Sequence, residues 1–219
     1  TAYDYPDHER AAAAGYAAIY AHREYQKQAS DPERAAARRE AVASTLRFVE
    51  KFPRHEHAAA VLVAAVDDLY EMKSYRDASV SAQRLIDTYP GAEASLRSSA
   101  WIVVAHGSFE LAEYPQAEHA YAQVLTVIPE GDTTRAALVD NLAASIYEQA
   151  QQANEAQDYR AAAGHFLRIS ERAPTSSIRP AAEYDAAAAL VKLQDWTAAA
   201  AVLDRFREAV PDHELNREA

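Results

Sequence analysis

Apolar residues recur at helical spacing behind a series of alanines. Each alanine is followed by apolar or small residues four, seven and eleven positions later; in one case these are Phe166, Ile169 and Ala173. The alanines are Ala41, Ala78, Ala117, Ala162 and Ala199. Because residues with this spacing share one helix face, each segment predicts a helix of about fifteen residues with one buried side.

A proline closes every one of these segments twelve positions after its alanine, as Pro90 does after Ala78. Three positions before four of the alanines stands an aromatic residue: Tyr75, Tyr114, Tyr159 and Trp196. A proline ring cannot continue a helix, so the predicted helices end at these prolines. Short turn phrases before the aromatic residues, such as Gln157-Asp158-Tyr159, predict where each helix begins.

A second helix is predicted between each proline and the next aromatic residue. In residues 57–73, for example, Leu62, Ala65, Val66 and Leu69 share a face. The chain therefore predicts an all-α fold of five helical hairpins. The repeats span about 7–53, 54–90, 91–129, 130–174 and 175–211.

The repeated pattern resembles the tetratricopeptide repeat, which has a small residue, an aromatic or apolar residue four positions later and a proline twelve after the first. The second helix of each repeat carries this pattern, while the family's early tryptophan is matched only by Trp101. The resemblance covers essentially the whole chain, 1–219. It implies a single array that forms a right-handed solenoid of helix-turn-helix repeats.

The repeats are longer than the usual length of about 34 residues, and several close on Tyr-Pro or Phe-Pro. In this they are similar to bacterial cell-envelope members of the family, such as an outer-membrane assembly lipoprotein and a periplasmic cell-division coordinator. That likeness favours a periplasmic or outer-membrane-associated location and leaves a cytoplasmic one open. Thr1–Pro6 and Asp212–Ala219 resemble remnants of further repeats, so we expect a piece of a longer array that can associate end to end.

Composition excludes several classes of function. The 219 residues include no cysteine, which excludes disulfides, thiolate metal sites and cysteine nucleophiles. The formal net charge of −11 argues against a nucleic-acid partner. No apolar run approaches the roughly 18–20 residues that cross a bilayer, so we expect no direct membrane insertion.

No arrangement of residues predicts catalysis, a metal site or a cofactor. His55 and His57 form the densest histidine group, but two residues this far apart do not share a helix face, and a solvated helix start is the favoured interpretation. The adjacent Asp67 and Asp68 should point to different sides of their helix. The five glycines are scattered singly, so no phosphate-binding loop is predicted.

One stretch, residues 32–54, is locally basic. It contains Arg34, Arg38, Arg39, Arg47, Lys51 and Arg54. We expect a solvated helix face whose charge is balanced by the acidic residues nearby in the sequence, which are Asp7, Glu9 and Glu24.

The resemblance also implies a binding groove, because the first helix of each repeat lines the concave side of such solenoids. Carried onto this sequence, the family's groove positions are Val63, Asp67, Tyr70 and Glu71 in the second repeat, and Ile102, His106, Phe109 and Glu110 in the third. The fifth repeat adds Tyr184, Ala188, Val191 and Lys192, and the longer fourth repeat adds Asn141, Ile146, Tyr147 and Gln151 in an approximate register. Aromatic rings beside carboxylates suit a peptide or protein partner with basic residues.

Three classes of function are compatible with these observations. The favoured one is a protein–protein interaction scaffold that binds a partner on its concave face. The alternative is a structural spacer or oligomerisation segment within a larger cell-envelope assembly protein. An enzyme or a small-ligand sensor is the least favoured class, and we predict no enzymatic activity.

Overall fold

The computed structural model describes Tyr3, residues 7–209 and Pro211, except for the side chains of residues 31 and 32. Within this part of the chain there are ten α-helices and no strand. They are α1 (Ala11–Gln28), α2 (Asp31–Lys51), α3 (Ala58–Glu71), α4 (Tyr75–Thr88), α5 (Ala94–Glu110), α6 (Tyr114–Val127), α7 (Arg135–Glu155), α8 (Tyr159–Arg172), α9 (Arg179–Lys192) and α10 (Trp196–Ala209). The all-α class of helix-turn-helix repeats is confirmed. Apart from Tyr3, the two end remnants lie outside the described residues.

The helices form two units that are described separately. The N-terminal half (Thr1–Leu111) contains α1 to α5, in which each helix packs on the next and α3 also packs on α5. The C-terminal half (Ala112–Ala219) contains α6 to α10, packed in the same sequential way, with a smaller contact between α7 and α9. The helices of the third predicted hairpin, α5 and α6, belong to different halves. The handedness of the repeats stays a prediction.

The alanine-based stripes form the core. Ala41, Ala78, Ala117, Ala162 and Ala199 are each at most 3% exposed. Phe166 and Ile169 are buried on the same helix face as Ala162. Thr45, the one polar residue of the stripe, is fully buried and its hydroxyl donates to the carbonyl of Ala41 at 2.8 Å. Burial of one face of each helix therefore explains the repeated pattern, and Thr45 is accommodated there because its hydroxyl is hydrogen-bonded.

Four of the hairpin turns share one backbone conformation. Their central residues have φ near +60° although none is glycine; these residues are Lys73, Ala112, Gln157 and Gln194. At the first turn the N–H of Lys73 donates to the Tyr70 carbonyl at 2.8 Å, and the N–H of Ser74 donates to the Leu69 carbonyl at 3.0 Å. These bonds close the end of α3 and reverse the chain, so that α4 begins at the aromatic residue.

A glycine allows α5 to approach α4 closely. A Cβ atom on Gly107 would collide with the Ser79 hydroxyl and would lie 3.2 Å from the carbonyl oxygen of Tyr75. Gly107 itself is buried. The absence of a side chain at this position therefore sets the distance between the two helices and, through it, the position of α5 in the N-terminal half.

Candidate functional site

The predicted groove residues of the N-terminal half lie on α3 and α5, which pack against each other. Tyr70, His106 and Phe109 are half-buried. The Tyr70 ring centroid lies 6.3 Å from that of His106 and 5.2 Å from that of Tyr75. The structure thus brings predicted residues from two repeats onto one aromatic surface. The half-buried Val63 and Ile102 lie on the same two helices.

Two exposed carboxylates, Asp67 and Glu110, lie on these helices. Partial loss of water, and then the neighbouring charges of Asp68 and Glu71, raise the pKa of Asp67. Burial lowers the pKa of His106, and the charge of Glu110 opposes that change. His106 is therefore neutral near pH 7. The charge of the aromatic surface comes from the carboxylates on either helix. We call Asp67, Tyr70, His106, Phe109 and Glu110 the α3–α5 groove.

Two other acidic side chains of α3 are held by arginines from α1 and α2. The Asp68 carboxylate lies 3.5 Å from the guanidinium of Arg23 and 3.4 Å from that of Arg38. Glu71 lies 2.6 Å from Arg38. Burial raises the pKa of Asp68 even though both arginines oppose it. Asp67 and Asp68 point to different sides of α3, one exposed and the other buried, as expected.

Sequence reasoning named Glu71 as a groove residue but missed that it is paired. Its partner, Arg38, stands on a helix of the first repeat, and no spacing within α3 indicates it. The only signal in the sequence was that Arg38 belongs to the locally basic stretch 32–54. Because its charge is balanced by Arg38, Glu71 presents less negative charge at the surface than Asp67 and Glu110 do.

In the C-terminal half, the groove position Tyr147 is bound within the protein. Its hydroxyl donates to Asp185 at 2.5 Å and accepts from Gln151 at 3.2 Å. Its ring meets Phe166 edge-on, with centroids 5.1 Å apart. Burial, followed by the hydrogen bond to Asp185, raises the pKa of Tyr147 to about 12. This side chain connects α7 to α9 and packs on α8.

Two further groove positions of this half, Lys192 and Tyr184, lie near neighbouring side chains, whereas Ala188 and Val191 are exposed. The Lys192 ammonium lies 3.4 Å from the Asn154 side-chain oxygen and 4.8 Å from the centre of the Tyr159 ring. The Tyr184 ring lies 6.4 Å from that of Phe206. Ile146 is fully buried, so it belongs to the core and not to a surface groove. The approximate register of the fourth repeat was wrong at this position, because Ile146 precedes Ala162 by the same interval as the buried Leu62 precedes Ala78.

Further polar contacts connect α6, α7 and α8 in the C-terminal half. Glu118 accepts from Arg168 at 2.7 Å and from Gln149 at 2.8 Å. Asp140 accepts from the Ser176 hydroxyl and the Ser177 N–H at 2.7 and 2.8 Å, and these bonds lower the pKa of its carboxyl. Charge-assisted bonds of this kind hold elements in one arrangement.

The His55–His57 group packs on aromatic rings instead of projecting wholly into solvent. The His55 ring is half-buried, 5.1 Å from Phe48 and 5.7 Å from Tyr16, and the exposed His57 ring lies 4.7 Å from Tyr16. Among the residues that the structure describes, no three histidine or acidic side chains are placed to hold a metal ion. No helix in the same part of the chain has both the length and the apolar character needed to cross a membrane.

Comparisons with known families and solved structures show which proteins this chain is similar to. Residues 139–219 match the model of the YfiO family, described as outer membrane lipoprotein. No curated protein matches the sequence.

Several solved structures are similar at low sequence identity. The TPR2AB domain–pHSP90 complex of yeast Sti1 is 16% identical, covers 92% of this chain and 78% of that chain, and has a TM-score of 0.42. A tetratricopeptide repeat protein from Parabacteroides merdae is 15% identical over 89% of this chain and 68% of that one, with a TM-score of 0.42. MamA from Desulfovibrio magneticus is 13% identical over 90% of this chain and 97% of that one, with a TM-score of 0.39.

The described helices follow one another with turns and buried alanines that repeat along the chain. The chain therefore has an all-α fold of helical hairpins of the kind that its sequence predicts, and its residues 139–219 are similar to the YfiO family.

Proposed function

We propose that this chain is a scaffold that binds a protein or peptide partner in the α3–α5 groove. Tetratricopeptide repeats are in general non-enzymatic scaffolds for protein–protein interaction. The observation that carries the proposal is the contact of Tyr70 with His106 across two repeats, beside the exposed carboxylates Asp67 and Glu110. Half-buried rings provide contact area at low entropic cost, and carboxylates at the edge select the register of the partner.

The partner chemistry follows from the charges of the groove. Because His106 is neutral near pH 7 and Glu71 is paired with Arg38, the remaining charge comes from Asp67 and Glu110. A segment with lysine or arginine beside an apolar residue complements this surface. The charges should act mainly on the association rate and on its salt dependence, whereas the rings should determine how long the complex lasts.

The match of residues 139–219 to an outer membrane lipoprotein family supports a place in the bacterial cell envelope. In that location the scaffold would hold one component of an envelope assembly against another. Fractionation of the source cells, with detection of the full-length protein, tests the location. Recovery in the cytosol alone would contradict it.

The groove is tested with point variants that distinguish it from the rest of the surface. Partners are first captured from source-cell extract, and each captured protein is then titrated against purified wild-type and variant chains. Phe109→Ala and Tyr70→Ala should weaken binding about tenfold or more, since truncation of an anchor residue often costs over about 1.4 kcal/mol. The control is Arg84→Ala, an exposed change on α4, which should have little effect.

Two further variants keep the rings and remove only charge. Asp67→Asn and Glu110→Gln should each slow association and flatten its salt dependence without changing helix content by circular dichroism. If the ring variants retain every partner while Arg84→Ala loses them, the groove is not the binding surface. That outcome would favour the structural spacer as the function of the chain.

A further inference from the structure

A cleft between α1 and α2 in the N-terminal half is not used by the proposed groove. Its volume is about 600 Å³. Tyr25 and His22 of α1 line it, and so do Glu33 and Glu40 of α2. Alanines of both helices also line it: Ala21, Ala36 and Ala37. We call these residues the α1–α2 cleft.

The cleft lies on the side of this hairpin that faces away from α3. Arg23 of α1 and Arg38 of α2 point toward α3, since they lie 3.5 and 3.4 Å from its Asp68 carboxylate. Tyr25 follows Arg23 by two positions and Glu40 follows Arg38 by two, which is a rotation of about 200° around each helix. The described residues that line the cleft accordingly all come from α1 and α2.

Two carboxylates give the cleft a negative charge. Glu33 and Glu40 are both exposed, and they lie seven positions apart on one side of α2, about 10 Å along its axis. The Glu33 carboxylate accepts from the Ser30 hydroxyl at 2.6 Å, a bond that leaves its charge in place. Within the described part of the chain, no ion pair engages either carboxylate. The arginines of α2 line a different cavity, beside the turn from α3 to α4.

The rest of the cleft suits close packing by a helix. Tyr25 is 56% exposed, so much of its ring is open to a partner. Ala21 and Ala36 are exposed too, and their small side chains allow another backbone to approach. In the same half, α5 packs on both helices of the hairpin formed by α3 and α4. A helix seated on two others is therefore an arrangement that this half already contains.

We propose that the α1–α2 cleft binds an α-helix of a partner protein that carries two basic residues seven positions apart, with small apolar residues between them. Residues seven apart share one side of a helix and lie about 10 Å apart, which matches the spacing of Glu33 and Glu40. Each basic head group pairs with one carboxylate. The aliphatic stem of one of them packs on the Tyr25 ring, and its charge is attracted to the face of that ring.

A second copy of this chain does not supply such a helix. Among the helices that the structure describes, none carries two lysine or arginine residues seven positions apart. Where that spacing does occur, the two residues lie in different elements, as Lys27 of α1 and Arg34 of α2 do. The net charge of −11 also opposes the close approach of two copies. The occupant is therefore a helix of another protein.

The α1–α2 cleft and the α3–α5 groove are separate surfaces, and neither requires the other. Both favour a basic segment, but their geometry differs. The groove presents aromatic rings from two repeats, whereas the cleft presents two carboxylates at a fixed spacing on one helix. A probe whose basic residues have that spacing therefore distinguishes the two surfaces.

The test uses the whole chain and a fluorescein-labelled alanine-rich peptide of about 16 residues, long enough to form a helix, with two arginines seven positions apart. Fluorescence anisotropy at low salt follows its titration. The control peptide has the same composition, but its arginines are five positions apart and therefore lie on different sides of the helix. It should bind at least about fivefold more weakly.

Two neighbouring alanines of α2 provide matched variants of the chain. Ala36→Lys places a bulky side chain with a positive charge in the cleft and should weaken binding of the first peptide at least about tenfold. Ala35→Lys adds the same side chain at the next exposed position, which lines the other cavity, and should change the affinity less than about twofold. Circular dichroism checks that both variants remain folded.

The carboxylates are tested by the double variant E33Q/E40Q, which should weaken binding about fivefold or more. Its control, E171Q/E208Q, removes the same charge from exposed positions of α8 and α10. Equal weakening by this control or by Ala35→Lys, or equal binding of the two peptides, would overturn the proposal, because binding would then be general electrostatic attraction. Absence of peptide binding would also overturn it.

One further variant separates this proposal from the proposed function. If Tyr70→Ala weakens binding of the first peptide while Ala36→Lys does not, the peptide occupies the α3–α5 groove. That result would overturn the assignment of the α1–α2 cleft and would support the groove. Loss of binding with Ala36→Lys supports the cleft whatever the outcome of the groove variants with their own partners.

Discussion

The groove positions of the two halves carry similar residue types but use them differently. In the N-terminal half, Tyr70 lies beside His106, and the carboxylates of Asp67 and Glu110 remain exposed. In the C-terminal half, the Tyr147 hydroxyl is bound to Asp185 and Gln151. The comparison teaches that a tyrosine on the first helix of a repeat has no fixed role. Tyr70 lies beside exposed carboxylates in one half, whereas Tyr147 connects two helices in the other.

The two halves also position their first helices by different means. In the N-terminal half α5 is set by close packing on α4 at Gly107. In the C-terminal half α7 and α9 are connected by the hydrogen bond of Tyr147. Asp67 and Glu110 remain exposed on α3 and α5 although Asp68 and Glu71 are paired with arginines, whereas Asp185 of α9 is bound by Tyr147 of α7. The predictions below test this difference.

The largest effect is expected for Gly107→Ala. The added methyl group meets the Ser79 hydroxyl and the Tyr75 carbonyl, so we expect the free energy of unfolding to fall by about 1–2 kcal/mol. The control is Gly164→Ala on α8, where nothing lies near the new atom; it should raise stability by about 0.5–1 kcal/mol. Urea unfolding measures both. Equal changes would show that α5 is not held by this contact.

A smaller effect is expected when a hydroxyl is removed from each tyrosine. Tyr147→Phe takes the donor away from Asp185 and should lower the free energy of unfolding by about 1 kcal/mol. Tyr70→Phe should change it by less than about 0.5 kcal/mol and should keep partner binding, since the ring remains. If Tyr70→Phe proved the more destabilising in chemical denaturation, the assignment of roles to the two halves would be reversed.

Two charge-neutralising variants should move stability in opposite directions. The pKa of Asp67 is raised in the folded state, so its charged form destabilises the fold at neutral pH. Asp67→Asn should therefore raise Tm slightly, and it should weaken the binding of a basic partner. Asp185→Asn weakens the charge-assisted bond from Tyr147 and should lower Tm. Differential scanning calorimetry near pH 7 measures both shifts. A fall in Tm for both variants would contradict the comparison.

The smallest effect is expected on the pH dependence of stability. Burial lowers the pKa of His106 in one half and of His165 in the other. The unfolded chain therefore takes up protons near pH 6.5 before the folded chain does, and stability should fall as pH drops below that value. We expect Tm to fall less between about pH 7.5 and about pH 5.5 for a His106→Gln/His165→Gln variant than for the wild type. The same dependence in both proteins would show that other groups control it.

Much of the fold could be predicted from the sequence because its causes are local. The position of Tyr75 predicts the first residue of α4, and that of Trp196 predicts the first residue of α10, since an aromatic residue follows each turn phrase. Burial of Ala162, Phe166 and Ile169 follows from their helical spacing. The nearness of Tyr70 and His106 could likewise be predicted, because a repeat carries its register along the chain, while their role in a groove stays a prediction.

Other features have no local signal. Lys73 adopts a positive φ in a place where glycine is the usual indicator, so the turn conformation could not be read from its residue type. The surroundings of His55 also escaped prediction, because Tyr16 and Phe48 belong to different helices.

The sequence by itself determined the helices and the buried stripes of the core, because periodicity and turn chemistry act within a few residues. Only the tertiary structure decided which charges remain available. Arg38 reaches Asp68 and Glu71 from another repeat, and Tyr147 reaches Asp185 across 38 positions of the chain. The physical reason is that the electrostatic role of a side chain depends on its distance from partners and on its loss of water. Both are fixed only when helices from different repeats pack together.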